Sequence, residues 1–186
     1  MCRLAYITER FKGVDKWLEK LEASNGGDGN GIAIGKLVAK GMDLTVADTC
    51  QLLHAHNRPA LWHTRFTSSG GKSDKLCHPF RCGEKSWLVH NGHWHDGHEA
   101  AGILQDVRDG YEELSDTRLF ALIASKLGFV NAVQKYQPRG VWLRMSWGGR
   151  LWVWKKGGSL WHSPDLNAWG SEPARTGHWF EVEDGL

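Results

Sequence analysis

The chain begins Met1-Cys2-Arg3-Leu4, and the cysteine at its second position is the feature from which the fold and the function are predicted. Removal of the initiator methionine, which is usual before a small side chain, makes Cys2 the first residue. A thiol is a nucleophile only as the thiolate, and a free α-amino group with a pKa of roughly 7.7–8.0 accepts its proton near neutral pH. Cys2 then supplies both nucleophile and base, which predicts a catalytic cysteine that needs no histidine partner.

The composition predicts a single domain over residues 1–186. At 41% apolar content the chain is long enough for one core and short for two. Its 23 basic and 21 acidic side chains are mixed along the sequence, so we expect no nucleic-acid partner. No apolar run approaches the roughly 20 residues that span a bilayer and no secretory signal is recognisable, so we expect a cytoplasmic protein without a membrane partner. Four cysteines are too few for a disulfide scaffold.

The spacing of apolar residues predicts an alternation of helices and strands. Period-3.6 patterns predict helices at Val14–Ala23, at 46–56 after the cap Thr45, from the cap Ser115 to the stop Gly128, and at Phe129–Tyr136. Short or alternating apolar runs predict strands at 4–7, 32–35, 37–39, 60–66, 87–89, 141–147, 151–154, 160–161 and 178–182. The strands between 141 and 161 form one predicted antiparallel meander. This order predicts an α+β fold with two sheets and with helices outside them.

Four further segments follow Cys2 along the chain, at 27–33 (GDGNGIA), 63–70 (HTRFTSSG), 88–92 (LVHNG) and 115–118 (SDTR). Each alone is a weak signal, since Asn-Gly is also a common turn and Ser115 is an ordinary helix start. In this order, and together with Met1-Cys2, they resemble the amino-terminal-nucleophile glutaminase domain of class II glutamine amidotransferases over about the first two thirds of the chain. The resemblance implies a four-layer αββα sandwich of two mainly antiparallel sheets.

The same resemblance implies that the chain hydrolyses the side-chain amide of glutamine without a cofactor. Attack of the Cys2 thiolate on that amide forms a tetrahedral oxyanion, then a thioester and free ammonia. By resemblance, the Asn91 side-chain amide and the Gly92 backbone N–H form the oxyanion hole, where a glycine lets the backbone approach the substrate. Cys2, Asn91 and Gly92 are therefore the predicted catalytic residues.

Four residues are predicted by resemblance to bind the substrate, namely Arg65, Phe66, Ser68 and Asp116. Glutamine carries an α-carboxylate and an α-ammonium, which suit an arginine fork and a carboxylate respectively. Arg65 and Asp116 match that pair, and Ser68 keeps a hydroxyl where the family commonly has threonine. An outward-facing arginine on a strand and a first-turn acid favoured by the helix dipole are the structural alternatives.

This sequence departs from the family pattern at Arg3, where glycine is common, and at Phe66-Thr67-Ser68-Ser69-Gly70, where Trp-Ala-Thr-His-Gly is common. Related enzymes that cleave other γ-glutamyl amides also begin Met-Cys-Arg, so the substrate is glutamine or another γ-glutamyl amide. Because no ammonia-using domain follows before Leu186, we expect either a separate synthase subunit as partner or a free-standing hydrolase. A third alternative is a catalytically silent protein that binds through its tryptophan-rich C-terminal face. The sequence does not indicate an oligomeric state.

Other patterns in the chain predict neither a metal nor a nucleotide. The histidine-dense run 90–98 places its acid one position too early for a zinc hydrolase, and Cys77-His78 with Cys82 lacks the paired Cys-x-x-Cys spacing of a structural zinc site. The glycine-rich loop 26–31 follows a helix and precedes a strand, the reverse of a dinucleotide-binding turn. The seven tryptophans after residue 141 are predicted to pack in the core rather than to stack on nucleic acid.

Overall fold

The computed structural model describes residues 2–24, 27–67, 71–95 and 115–185. Within these residues the chain forms eleven strands and four α-helices. The strands are β1 (Arg3–Ile7), β2 (Asn30–Ile34), β3 (Leu37–Gly41), β4 (Ala60–Thr64), β5 (Phe80–Arg81), β6 (Ser86–Asn91), β7 (Gly140–Ser146), β8 (Leu151–Lys156), β9 (Trp161–Ser163), β10 (Ala168–Gly170) and β11 (Phe180–Glu181). The helices are α1 (Val14–Ala23), α2 (Val46–Ala55), α3 (Asp116–Leu127) and α4 (Phe129–Tyr136), and a 3-10 turn covers Asp74–Leu76.

The strands form two antiparallel sheets. The larger sheet has the order β11-β9-β10-β1-β4-β2-β3, and the smaller sheet has the order β5-β6-β7-β8. At the centre of the larger sheet, Arg3 on β1 pairs with Thr64 on β4. This register brings the residue before β1 next to the residues that follow β4.

Three apolar clusters show that the sheets lie between two helical layers. Between the sheets pack Leu4, Tyr6 and Leu61 of the larger sheet with Val89, Leu143 and Met145 of the smaller one. Ile32 and Trp62 face the other way and pack with the apolar stripes of α1 and α2. Leu88 and Trp142 lie in the third cluster with the buried faces of α3 and α4. The predicted four-layer αββα sandwich is therefore confirmed.

The helices begin where their capping residues predict. Thr45 and Asp48 form a capping box, in which the Asp48 N–H donates to Thr45 Oγ1 at 3.1 Å and the Thr45 N–H donates to Asp48 Oδ2 at 2.9 Å. Ser115 Oγ accepts from the Arg118 N–H at 3.2 Å, and α3 stops before Gly128. These predictions are confirmed, with α2 ending one residue earlier than expected.

The predicted meander between 141 and 161 is wrong in its last strand. β7 and β8 pair in the smaller sheet, but β9 lies in the larger sheet between β11 and β10. Gly157 and Gly158, with φ of 75° and 83°, adopt the left-handed conformation that turns the chain away from β8. Leu160 is then fully buried between the two sheets. Period-two alternation does not specify which sheet a strand joins, and β5 and β10 are too short to show any alternation.

The prediction that the C-terminal tryptophans pack in the core is confirmed for Trp142 and Trp154, which are buried with α3 and α4. The other five are half-buried. Trp152 lies between two cations, with the guanidinium carbons of Arg144 and Arg150 at 4.3 and 4.8 Å from its ring centroid. Two of the chain's own arginines therefore pack against the ring of Trp152.

Among the helices of the described ranges, none combines the length and the apolar character that crossing a membrane requires.

Candidate active site

A small cleft forms where the ends of three elements meet the start of α3. It is lined by Cys2, Arg65, Phe66, His78, His90, Gly92, Ser115, Asp116 and Thr117. Cys2 precedes β1, Arg65 and Phe66 follow β4, and Gly92 follows β6. The fold thus brings residues from both sheets and from a helix N-terminus to one space, although 114 positions separate the first from the last in sequence.

Five of the seven site residues predicted from the sequence line this cleft, namely Cys2, Arg65, Phe66, Gly92 and Asp116. Asn91 lines an adjoining cavity that shares Gly92 with the cleft. Ser68 lies outside the described residues.

The Cys2 thiol is held by the backbone of Phe66. The Phe66 N–H donates to Cys2 Sγ at 3.4 Å, and the Sγ–H donates to the Phe66 carbonyl at 3.6 Å. Burial raises the pKa of the thiol, while the Phe66 N–H, which stabilises a thiolate, opposes that rise. The thiol is therefore protonated at neutral pH and needs a base. Phe66 contacts the sulfur through its main chain, since its side chain is 45% exposed.

Arg65 extends β4 by one residue and faces the interior. Its N–H donates to the Gly29 carbonyl at 2.8 Å, and its carbonyl accepts from the Asp28 N–H at 2.7 Å. The Asp28 carboxylate also accepts from the Thr67 N–H at 2.9 Å and pairs with Lys72 Nζ at 2.6 Å. These two contacts lower the pKa of Asp28, the ion pair with Lys72 contributing most. At 4% exposure, Arg65 is not the outward-facing residue of the structural alternative.

Asp116 is the first residue of α3 and is 16% exposed at its side chain. Its Oδ1 accepts from the Thr117 N–H at 2.7 Å, and its Oδ2 accepts from the Trp94 N–H at 2.9 Å. The carboxylate therefore occupies the favourable first turn of the helix and also lines the cleft. A buried guanidinium and a fixed carboxylate thus border the same small space.

Asn91 ends β6, and Gly92 follows it beside this space. Asn91 is buried, and its Nδ2 donates at 3.3 Å to Ser171 Oγ, which accepts a second hydrogen bond from the Leu4 N–H at 3.1 Å. Gly92 has φ of 152°, and a Cβ at this position would lie 2.8 Å from both Gly140 Cα and His90 Nε2. Only glycine fits there, because any side chain would collide with backbone and with a buried ring.

Buried His78 and His90 line the cleft and buried His63 packs against His78, and sequence reasoning missed all three as site residues. The rings of His63 and His78 lie 3.8 Å apart, and the ring of His90 stacks on Trp142 at 3.7 Å. Burial lowers the pKa of His63 to about 3, lowers that of His78 well below its ordinary value and lowers that of His90. All three imidazoles are therefore neutral. The available signal for His63 and His90 was their position within the motif segments 63–70 and 88–92, one or two residues before a predicted site residue, whereas His78 had no such signal.

The hydrogen bonds of His63 and His90 go to groups other than the Cys2 thiol. His90 Nδ1 lies 3.1 Å from Thr117 Oγ1, and His90 Nε2 lies 3.2 Å from the Arg139 carbonyl. His63 Nε2 lies 3.0 Å from the His90 carbonyl. Within the four described ranges, no three His, Cys, Asp or Glu side chains are grouped so as to hold a metal ion, and the run 90–98 continues beyond them after residue 95.

Two antiparallel sheets between two helical layers are the fold that this chain shares with solved enzyme structures. The chain is similar in structure to a solved glutamine phosphoribosylpyrophosphate amidotransferase from B. subtilis complexed with ADP and GMP, at a TM-score of 0.63 and 16% sequence identity, covering 91% of this chain and 41% of that one. A structure described as the allosteric regulatory enzyme of purine biosynthesis gives a TM-score of 0.63 at 15% identity, covering 92% of this chain and 42% of the other.

The chain therefore spans about two fifths of the length of these enzymes. No protein-family model matches the sequence, and no curated protein matches it significantly. At this identity the likeness establishes the fold, and the predicted fold class is confirmed.

Proposed function

We propose that this protein hydrolyses the side-chain amide of glutamine to glutamate and ammonia, with Cys2 as the nucleophile. The observation that carries the proposal is the composition of the cleft, in which a cysteine, a buried arginine, the first-turn carboxylate of α3 and a glycine border one space. The amidotransferase fold supports the same chemistry.

Substrate recognition follows from the two charged side chains. The α-carboxylate of glutamine pairs with Arg65, and its α-ammonium pairs with Asp116. Arg65 is buried and Asp116 is mostly so, hence these pairs form in a medium that screens them less than water does. They position the carboxamide carbon over the Cys2 sulfur.

The reaction then needs one base and two hydrogen-bond donors. The α-amine of Cys2, exposed by removal of Met1, accepts the thiol proton, and the neutral histidines take no part in this transfer. The thiolate attacks the carboxamide carbon while the Asn91 side-chain amide and the Gly92 N–H donate to the oxyanion. Collapse of this intermediate breaks the C–N bond, ammonia leaves with the proton held by the α-amine, and a thioester remains. Water hydrolyses the thioester, which releases glutamate and restores the thiol.

The ammonia released by this reaction would be used by a partner protein. The two similar structures are more than twice as long as this chain, and one is an amidotransferase. The amidotransferase named in one of these structures supports transfer of the ammonia to an acceptor, for which we propose a synthase partner. All four cysteines are free thiols, which fits the reducing cytoplasm that we propose as the location. A second candidate, hydrolysis of a larger γ-glutamyl amide, is favoured by the cavity beside Gly92 and is developed below.

A glutaminase assay on the purified chain tests the proposal, with mass spectrometry to establish whether Met1 is absent. We expect glutamate release from L-glutamine by the trimmed chain, none by chain that retains Met1, and none by Cys2→Ala. Cys50→Ala is the matched control, because Cys50 is buried between α2 and the larger sheet, where burial raises the pKa of its thiol to about 12. Activity in Cys2→Ala would refute the proposed nucleophile. A trimmed, folded chain that cleaves no γ-glutamyl amide would instead indicate a silent binding protein.

A further inference from the structure

A cavity of about 550 Å³ adjoins the Cys2 cleft and is larger than glutamine hydrolysis requires. It is lined by Arg3, Asn91, Gly92, Arg139, Gly140, Lys156, Gly157, Gly158, Ser159, Ser171 and Glu172. Gly92 lines both spaces, and Asn91 lines the cavity. The proposed oxyanion donors therefore stand at the junction of the cleft and the cavity.

Cys2 lines the cleft and also contacts a residue of the cavity lining. Its sulfur lines the cleft, while its carbonyl accepts from Nη1 of Arg3, a cavity-lining residue, at 3.3 Å. A γ-glutamyl amide with its amino-acid end at Arg65 and Asp116 and its carbonyl carbon at Cys2 has one remaining substituent, the group on the amide nitrogen. The cavity beside the oxyanion donors is the space open to that group.

The charges that line the cavity are predominantly positive. The lining contains three cationic side chains and one carboxylate, namely Arg3, Arg139, Lys156 and Glu172. Glu172 is already paired, since its Oε1 lies 3.1 Å from Arg3 Nε and its Oε2 lies 3.4 Å from Lys20 Nζ. Arg139 and Lys156 line the cavity and are exposed, and Lys156 Nζ donates a long hydrogen bond to the Gln137 side chain at 3.5 Å. Ammonia, which is small and neutral, needs neither this volume nor this charge.

We propose that the cavity binds the leaving amine of γ-glutamyl amides and selects amines that carry an anionic group, as in γ-glutamyl peptides with a free carboxylate. This inference rests on the proposed amide hydrolysis. The γ-glutamyl C–N bond breaks as the Cys2 thioester forms, the departing amine takes the proton held by the α-amine, and water then cleaves the thioester. Arg139 and Lys156 bind the carboxylate of the departing amine as specificity-determining residues.

Cleavage rates for three substrates test this inference independently of the proposed function. The substrates are L-glutamine, γ-L-glutamylglycine and γ-L-glutamylglycinamide, of which the last two differ only in the charge of the leaving amine. We expect the wild-type kcat/KM for γ-L-glutamylglycine to exceed that for γ-L-glutamylglycinamide by about tenfold or more, as one charge-assisted contact predicts. In the double variant Arg139→Gln/Lys156→Gln this ratio should fall toward one.

The matched control is the double variant Lys16→Gln/Arg175→Gln, which removes the same charge at exposed positions outside the cavity lining. It should keep the wild-type ratio. Hydrolysis of glutamine with equal or no cleavage of the two glycine derivatives would overturn the inference and leave the proposed function standing. Absence of hydrolysis for all three substrates by chain lacking Met1 would overturn both.

Discussion

The Cys2 cleft and the adjoining cavity meet at Gly92, yet their linings differ in burial and in charge. The cleft is bordered by neutral buried imidazoles and by one pair of opposite charges, Arg65 and Asp116. The cavity is bordered by glycines and by exposed basic side chains. The cleft is thus suited to the γ-glutamyl group, which every proposed substrate shares. The cavity is suited to leaving amines that differ in shape and share a negative charge.

This contrast has an energetic consequence. An ion pair in a buried site is screened little, and its loss leaves a charge without compensation, whereas exposed cations are separated from a ligand by a high dielectric and by salt. Substitutions of the charged pair in the cleft and of the oxyanion donors should therefore change activity by orders of magnitude, whereas substitution of the exposed cavity cations Arg139 and Lys156 should alter only the choice of leaving amine.

The largest effect is expected at the junction, in Asn91→Ala. Removal of a single oxyanion donor lowers kcat by about 10²–10³ in acyl transfer, with little change in KM, because the donor acts on the transition state. Steady-state kinetics with glutamine as substrate measure kcat and KM of this variant and of the wild type. Asn131→Ala, at an exposed position on α4, is the matched control and should keep wild-type kcat. A rise in KM at unchanged kcat, or no change in either, would show that Asn91 does not contact the oxyanion.

A smaller effect is expected in Asp116→Asn, which keeps an acceptor for the Trp94 N–H but removes the charge. The loss of one charge-assisted contact should raise KM for glutamine by about 10- to 100-fold. An analogue of glutamine without the α-amine distinguishes binding from folding. Wild-type enzyme should discriminate strongly against it, and Asp116→Asn should hardly discriminate. If both enzymes discriminate equally, Asp116 serves only as the first-turn acid of α3. Asp165→Asn, at an exposed position, is the control.

The sequence predicted the elements whose signals are local. Caps and apolar stripes located all four helices, and β1 to β4 were located to within a few residues. The placement of β9 in the larger sheet was not predictable, because its partner β10 is short and because the crossing depends on how Leu160 packs between the sheets. Strand pairing between distant segments has no local signature.

The same distinction applies to the site. Cys2, Arg65, Gly92 and Asp116 were found because they belong to a motif pattern, and the structure places them in one cleft. The buried histidines were missed, because burial of a polar ring is a property of tertiary packing. His78 in particular enters the cleft from the segment between the 3-10 turn and β5, two short elements without a periodic pattern.

The neutral histidines of the cleft should make the fold sensitive to acid. His63 has its pKa lowered by burial from 6.5 to about 3, so the unfolded chain binds a proton between these values and the native chain does not. The contribution of His63 to the free energy of unfolding is fully present above pH 6.5. It falls by about 1.4 kcal/mol for each pH unit between pH 6.5 and about pH 3. Urea denaturation at pH 7.5 and 5.0 measures this. His63→Gln should show a smaller decrease than wild type, and an equal decrease would contradict the neutral buried ring.

The smallest effect is expected from added salt. It distinguishes the contribution of the cavity to substrate binding from that of the cleft without any substitution. Raising ionic strength from about 0.1 M to about 1 M shortens the Debye length from about 10 Å to about 3 Å, which screens exposed cations such as Arg139 and Lys156 more than buried Arg65. We expect kcat/KM for γ-L-glutamylglycine to fall about two- to threefold relative to the neutral γ-L-glutamylglycinamide. The glycinamide serves as the internal reference, since both substrates place the same amino-acid end at Arg65 and Asp116. A fall of equal size for both substrates would locate the salt-sensitive contact in the cleft and not in the cavity.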